Sequence, residues 1–110
     1  MSNFSDMVSY IGLTPSEAAA ALDVTENEIV RWCSTDEAPP IHIWQGLVRM
    51  LDEIRISAEE AAKSADLDHI DASDLNRIDL TVPGQTTAEF AGPKRAATAL
   101  AVAALARVFV

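Results

Sequence analysis

The chain has 110 residues, about one domain's worth, with 49% hydrophobic residues and a single cysteine. That apolar share supports a core and excludes wholesale disorder, while one cysteine excludes a disulfide-stapled scaffold and points to a reducing, cytoplasmic compartment. Seventeen acidic residues against eight basic ones give a net charge of −9, a balance that repels a polyanion and argues against non-specific nucleic-acid binding.

The charge is unevenly spread. Residues 1–55 hold nine acids and three bases (Arg31, Arg49 and Arg55), a net −6, and residues 56–110 carry the remaining −3. Neither half offers a basic block of the kind that forms a nucleic-acid arm. The opening Met1-Ser2-Asn3-Phe4-Ser5-Asp6 has no basic stretch and no apolar run, so no signal peptide is expected.

Phe4, Met7, Val8 and Ile11 fall at i, i+3, i+4 and i+7, which predicts a helix over residues 4–11 that Gly12 stops. Thr14-Pro15-Ser16-Glu17 restarts a helix: Thr14 as cap, Pro15 at the first helical position, Glu17 placed to close a capping box. This helix runs to Leu22. After the break Asp23-Val24-Thr25, the stretch Thr25 to Glu28 repeats the signature and opens a third helix with Ile29, Trp32 and Cys33 facing inward. Ser34 to Pro40 is a loop ended by two prolines. A fourth helix is predicted over about 41–55, with Ile43, Trp44, Leu47, Val48, Leu51 and Ile54 as its apolar stripe.

Ser57-Ala58-Glu59-Glu60 either caps a further short helix or lets the fourth continue. Asp66, Asp68, Asp71 and Asp74 mark a polar, helix-capping segment. The period then changes to two. Ile78, Leu80 and Val82 alternate with Arg77, Asp79 and Thr81, a half-buried strand pattern, and Pro83-Gly84 turns toward a return strand over 86–90. Gly92-Pro93 is read as a break before an alanine-rich helix over about 94–109. Its uncharged run, Ala96 to Ala106, is shorter than the roughly 20 apolar residues of a membrane span and is flanked by Lys94, Arg95 and Arg107. A buried or partner-facing helix is expected, with no membrane partner.

The segment from Thr14 to Trp32 resembles the helix-turn-helix of the lambda repressor/Cro-like (Xre) regulators, on the residues Ala19, Leu22, Val24, Ile29 and Trp32. Ala19 is small where one helix crosses the other, Leu22, Val24 and Ile29 fill the wedge, and Trp32 anchors the far end of the second helix. The loop Ala38-Pro39-Pro40 and the apolar helix Ile41 to Ile54 extend the likeness to residues 4–54, half of the chain. Asp23 stands where the turn more often has glycine. The resemblance implies that the second helix enters the major groove of DNA, with Thr25, Glu26, Asn27 and Arg31 at the base-reading positions. Asn27 suits adenine, Arg31 suits guanine, and Glu26 accepts only from a cytosine amino group. Arg31 equally suits an ion pair with Glu26 or Glu28 along its own helix.

Catalytic and metal signatures are missing from the sequence. His42 and His69 have no cysteine partners for zinc, the aspartate cluster lacks the glycine and terminal glutamate of a calcium loop, and there is no Gly-rich phosphate loop or nucleophile elbow. No enzyme, cofactor or metal is expected. The reading is a mainly α protein: a lambda-repressor-like helical domain over residues 1–56, and a C-terminal appendage over 57–110 of strand or hairpin plus Ala-rich helix that packs on the first domain or on a second copy. The expected function is a helix-turn-helix transcriptional regulator that binds double-stranded DNA as a homodimer. The alternative is an acidic interaction module, built on the same scaffold, that docks a basic protein.

Overall fold

The computed structural model describes residues 2–78, 80 and 90–109. Helix α1 (Asn3–Ile11) starts at Ser2, whose hydroxyl accepts the Ser5 N–H at 3.1 Å. It ends at Gly12, whose φ of 88° lets the Leu13 N–H reach back to the Val8 carbonyl at 3.1 Å. Helix α2 (Pro15–Leu22) carries the full capping box. The Glu17 N–H donates to Thr14 Oγ1 at 3.2 Å, and the Thr14 N–H donates to Glu17 Oε1 at 2.9 Å. Asp23 closes α2 in the left-handed region at φ 56°, and the Val24 N–H bonds the Ala19 carbonyl at 3.0 Å. Aspartate therefore does here what glycine does at comparable turns. Helix α3 (Glu26–Ser34) begins at Thr25, whose hydroxyl accepts the Glu28 N–H at 3.2 Å.

The long helix α4 spans Ile41–Lys63, so the fourth helix continues through Ser57 rather than ending near residue 55. Residue 56, the expected domain boundary, lies inside it. No breaker interrupts residues 41–63, and Ser57, Ala58 and Ala61 are buried, which gives the extension a packed face. The buried stripe is Ile43, Leu47, Met50 and Ile54, with Trp44 and Leu51 half-buried. Val48, expected inward, is 50% exposed. At about 100° per residue it stands roughly 140° around the helix from Ile43, whereas Met50 falls on the buried side.

Two short 3₁₀ turns follow, Leu67–His69 and Ala72–Asp74. Aspartates cap both, as the polar segment suggested: the Asp68 N–H donates to Asp66 Oδ1 at 3.1 Å, and the Asp71 N–H donates to Asp74 Oδ2 at 3.0 Å. The Asp71 amide, with the Arg77 guanidinium beside it, holds the Asp74 carboxyl below its ordinary value. Among the described residues there is no strand. The alternation expected from Arg77 fails at its start, because the Arg77 N–H closes a turn on the Asp74 carbonyl at 3.0 Å. The rest of the expected hairpin, residues 79 and 81–89, lies outside the described residues.

Helix α5 (Ala91–Ala106) begins earlier than predicted, and Gly92-Pro93 sits in its first turn instead of breaking the chain before it. Proline is tolerated there because the first-turn N–H groups have no intrahelical acceptor. The stripe Gly92, Pro93, Ala97, Ala101 and Leu105 is buried. Ala101 meets Ala58 and Ala61 of α4, small side chains against small side chains, while Ala97 joins the main core. The α4–α5 pair is the most extensive helix packing among the described residues. No described helix is long and apolar enough to cross a membrane.

Two glycines join the ends of α1 and α5. A Cβ on Gly12 would lie 2.7 Å from the Gly92 backbone, and a Cβ on Gly92 would overlap the Gly12 carbonyl. Neither backbone can retreat without lifting α5 off the core. Gly92→Ala is therefore expected to destabilise the fold by about 2–3 kcal/mol in urea unfolding, the upper range for overpacking. A loss below about 0.5 kcal/mol, the ordinary surface scatter, would contradict that contact.

Candidate functional site

The inner side of α3 is fully committed. Ile29 and Trp32 are buried, Cys33 is half-buried, and Leu22 and Val24 pack beside them. Phe4 meets Trp32 edge to face at 5.7 Å and Trp44 at 5.9 Å, joining α1, α3 and α4 through one ring. The Ser2 hydroxyl donates to the Trp32 carbonyl at 2.7 Å and so satisfies one of the acceptors left over in the last turn of α3. Leu22 of α2 reaches α4 at Gly46, where a Cβ would come within 2.8 Å of Leu22 Cδ2.

The other side of α3 is open. Glu26, Asn27, Val30, Arg31 and Ser34 are exposed on one continuous face, and Thr25 is exposed at its N-terminal edge. The structure thus brings the four predicted residues Thr25, Glu26, Asn27 and Arg31 together, but in three different states. The Thr25 hydroxyl is engaged as the cap of α3. Glu26 and Asn27 make no side-chain hydrogen bond among the described residues and project freely from the first turn. Arg31 is tied down: its Nε donates to Glu37 Oε2. The partner is neither Glu26 nor Glu28, which share its helix, but a loop residue six positions on.

The loop geometry explains this. Thr35 Oγ1 donates to the Arg31 carbonyl at 2.6 Å and accepts the Glu37 N–H at 3.2 Å, so the chain after α3 folds back over the helix end. Pro39, near the end of that loop, is buried. Glu37 lies beyond the reach of helical pairing rules, which extend only three or four residues along one helix.

Electrostatically the face is poor in cations. From Thr14 to Pro40 the only basic residue is Arg31, set among Glu17, Asp23, Glu26, Glu28, Asp36 and Glu37. Glu17 is occupied by the Thr14 N–H. Pro15 and Ser16 are exposed at the start of α2. Pro15 has no N–H and the Glu17 and Ala18 amides donate to Thr14, so the donors there are the Ser16 hydroxyl and amide.

Elsewhere the described residues contain no group of three or more His, Cys, Asp or Glu arranged to hold a metal ion. His69 Nδ1 lies 2.5 Å from Asp66 Oδ2 in the capping segment. No protein-family model, curated protein or solved structure matches the chain.

Burial pushes the Cys33 thiol above its ordinary value, against a smaller opposing effect of a hydrogen bond with Ser5. The thiolate is the reactive form, so an aromatic disulfide reagent at neutral pH should modify Cys33 more slowly than free cysteine and accelerate once denaturant is added. Modification of the folded protein at the rate of free cysteine would contradict this environment.

Proposed function

We propose that the protein is a helix-turn-helix regulator that reads duplex DNA with α3, acting as a homodimer. The observation that supports the reading is the division of α3: its inner side is locked by Ile29 and Trp32, while Thr25, Glu26, Asn27 and Arg31 stand exposed together on the other. A helix fixed by one face and bare on the other suits insertion into a groove wide enough for a helix. In that position Asn27 pairs with an adenine edge and Arg31 with a guanine edge. Glu26 accepts from a cytosine amino group, and the hydroxyl and amide of Ser16 approach a phosphate.

One domain supplies few cations. A typical binder neutralises roughly six to ten phosphates, whereas residues 1–55 hold three arginines. A twofold dimer doubles the number of base contacts and makes the expected site a short pseudo-palindrome. Val108 (61% exposed) and Phe109 (42%), just beyond α5, leave an apolar end on the C-terminal segment for such pairing. Light scattering behind size exclusion should give twice the chain mass at micromolar concentration, and a monomer there sinks the dimer.

The DNA reading is tested on duplexes selected from a random pool at low salt. Replacing Asn27 and Arg31 together by alanine should weaken binding by tenfold or more, since each bidentate base contact is worth about 1–3 kcal/mol. Unchanged affinity, or no duplex bound by the parent protein, overturns it. A second reading is favoured by the carboxylates that surround Arg31: the same face docks a basic protein. Binding to basic protein that survives nuclease treatment, with no duplex selected, would favour that reading.

A further inference from the structure

Arg31 is the one cation that the proposed reading face offers, and Glu37 holds it. The pair is not a chance meeting of long side chains. Two hydrogen bonds through Thr35 Oγ1, to the Arg31 carbonyl and from the Glu37 N–H, fix the loop directly over the base of the arginine. Buried Pro39 limits how far the loop can swing away. At the same time both side chains remain about half exposed, 52% and 54%, so the contact lies in solvent and is readily exchanged. A guanine edge needs two of the guanidinium N–H groups in one plane. With Nε engaged by a carboxylate, one edge of that fork is taken, and the carboxylate itself stands where the negatively charged duplex must come.

Resting on the DNA reading above, we infer that Glu37 is an affinity-setting residue, a carboxylate latch on Arg31 that competes with nucleic acid for the guanidinium. Binding proceeds by exchange. The Glu37 carboxylate leaves Nε, Arg31 turns its fork to the base or phosphate, and Glu37 is left solvated beside the groove. This exchange fixes the sign of the salt effect. Salt weakens the latch in the free protein as well as the contacts in the complex, so the parent protein loses affinity with salt less steeply than its exposed cations would dictate.

The test is a two-by-two comparison of the parent chain, Glu37→Gln, Arg31→Gln and the double variant. All four are titrated by fluorescence anisotropy against the duplexes selected from a random pool at low salt, over a range of low salt concentrations. Glu37→Gln should bind about three- to tenfold tighter than the parent, the combined scale of one exposed ion pair and one repelling charge, and with a steeper salt dependence. In the Arg31→Gln background the Glu37→Gln change should gain nothing. Without DNA, the Arg31 Nε–H resonance of the parent should lie downfield, as for a guanidinium N–H bonded to a carboxylate, and move upfield in Glu37→Gln. Equal affinities and salt slopes for parent and Glu37→Gln overturn the latch while leaving the DNA reading intact. A gain that persists without Arg31 also overturns it, since only general charge is then at work. Binding by none of the four proteins overturns the DNA reading and the latch with it.

Discussion

The arrangement of α1, α3 and α4 depends on what Phe4 touches. Its ring, 1% exposed, meets Trp32 at 5.7 Å and Trp44 at 5.9 Å, both edge to face, so a single side chain of α1 sets α3 against α4. Aromatic pairs of this kind add roughly 0.5–1.5 kcal/mol each beyond their burial, and here two share one ring. Ser2, two residues earlier, bonds the end of α3 through the Trp32 carbonyl. Because Trp32 and Ile29 are drawn inward, helical geometry leaves Glu26, Asn27, Val30 and Arg31 on the outside. The candidate reading face is therefore a consequence of core packing, not a separate device.

The net charge of −9 takes on a local meaning against this frame. Many of the acids hold the backbone in place. Glu17 closes the capping box of α2, Asp23 adopts the left-handed turn between α2 and α3, and Asp66, Asp71 and Asp74 cap short turns. Glu26 and Glu28 lie in the first turn of α3, where carboxylates complement the helix dipole. That first turn would also meet the phosphates first. The residues that favour the helix thus oppose its proposed ligand, and Glu37 on Arg31 extends the same opposition to the only cation of the segment. Compositional charge argues against indiscriminate binding and is compatible with weak, selective binding.

Helices α1 and α3 were legible because large apolar residues recur at helical spacing, and α2, mostly alanine, because Thr14-Pro15-Ser16-Glu17 marks its start with a capping box. The residues of the open face were legible for the same reason, since Ile29 and Trp32 define the opposite side. Legibility fell where alanine replaced leucine and isoleucine. Ala58 and Ala61 give α4 a buried extension with almost no amphipathic contrast, so its length was ambiguous in sequence. Gly92 looked like a break because its reason is tertiary: it lies against Gly12, some eighty positions away. Val48 and Met50 exchanged roles because each sits at an edge of the stripe. Glu37 was invisible for a third reason, as its partner depends on how a loop folds back past a helix end.

Chemical-shift mapping tests most directly whether α3 is presented to nucleic acid. The isotope-labelled protein is titrated at low salt with duplexes enriched from a random pool, and backbone amide shifts are followed residue by residue. Perturbations should concentrate on Thr25 to Arg31, with a second group at Ser16, while the amides of Ala97 to Leu105 in α5 stay in place. Shifts centred on another surface, or none across α3 at saturating duplex, would contradict it.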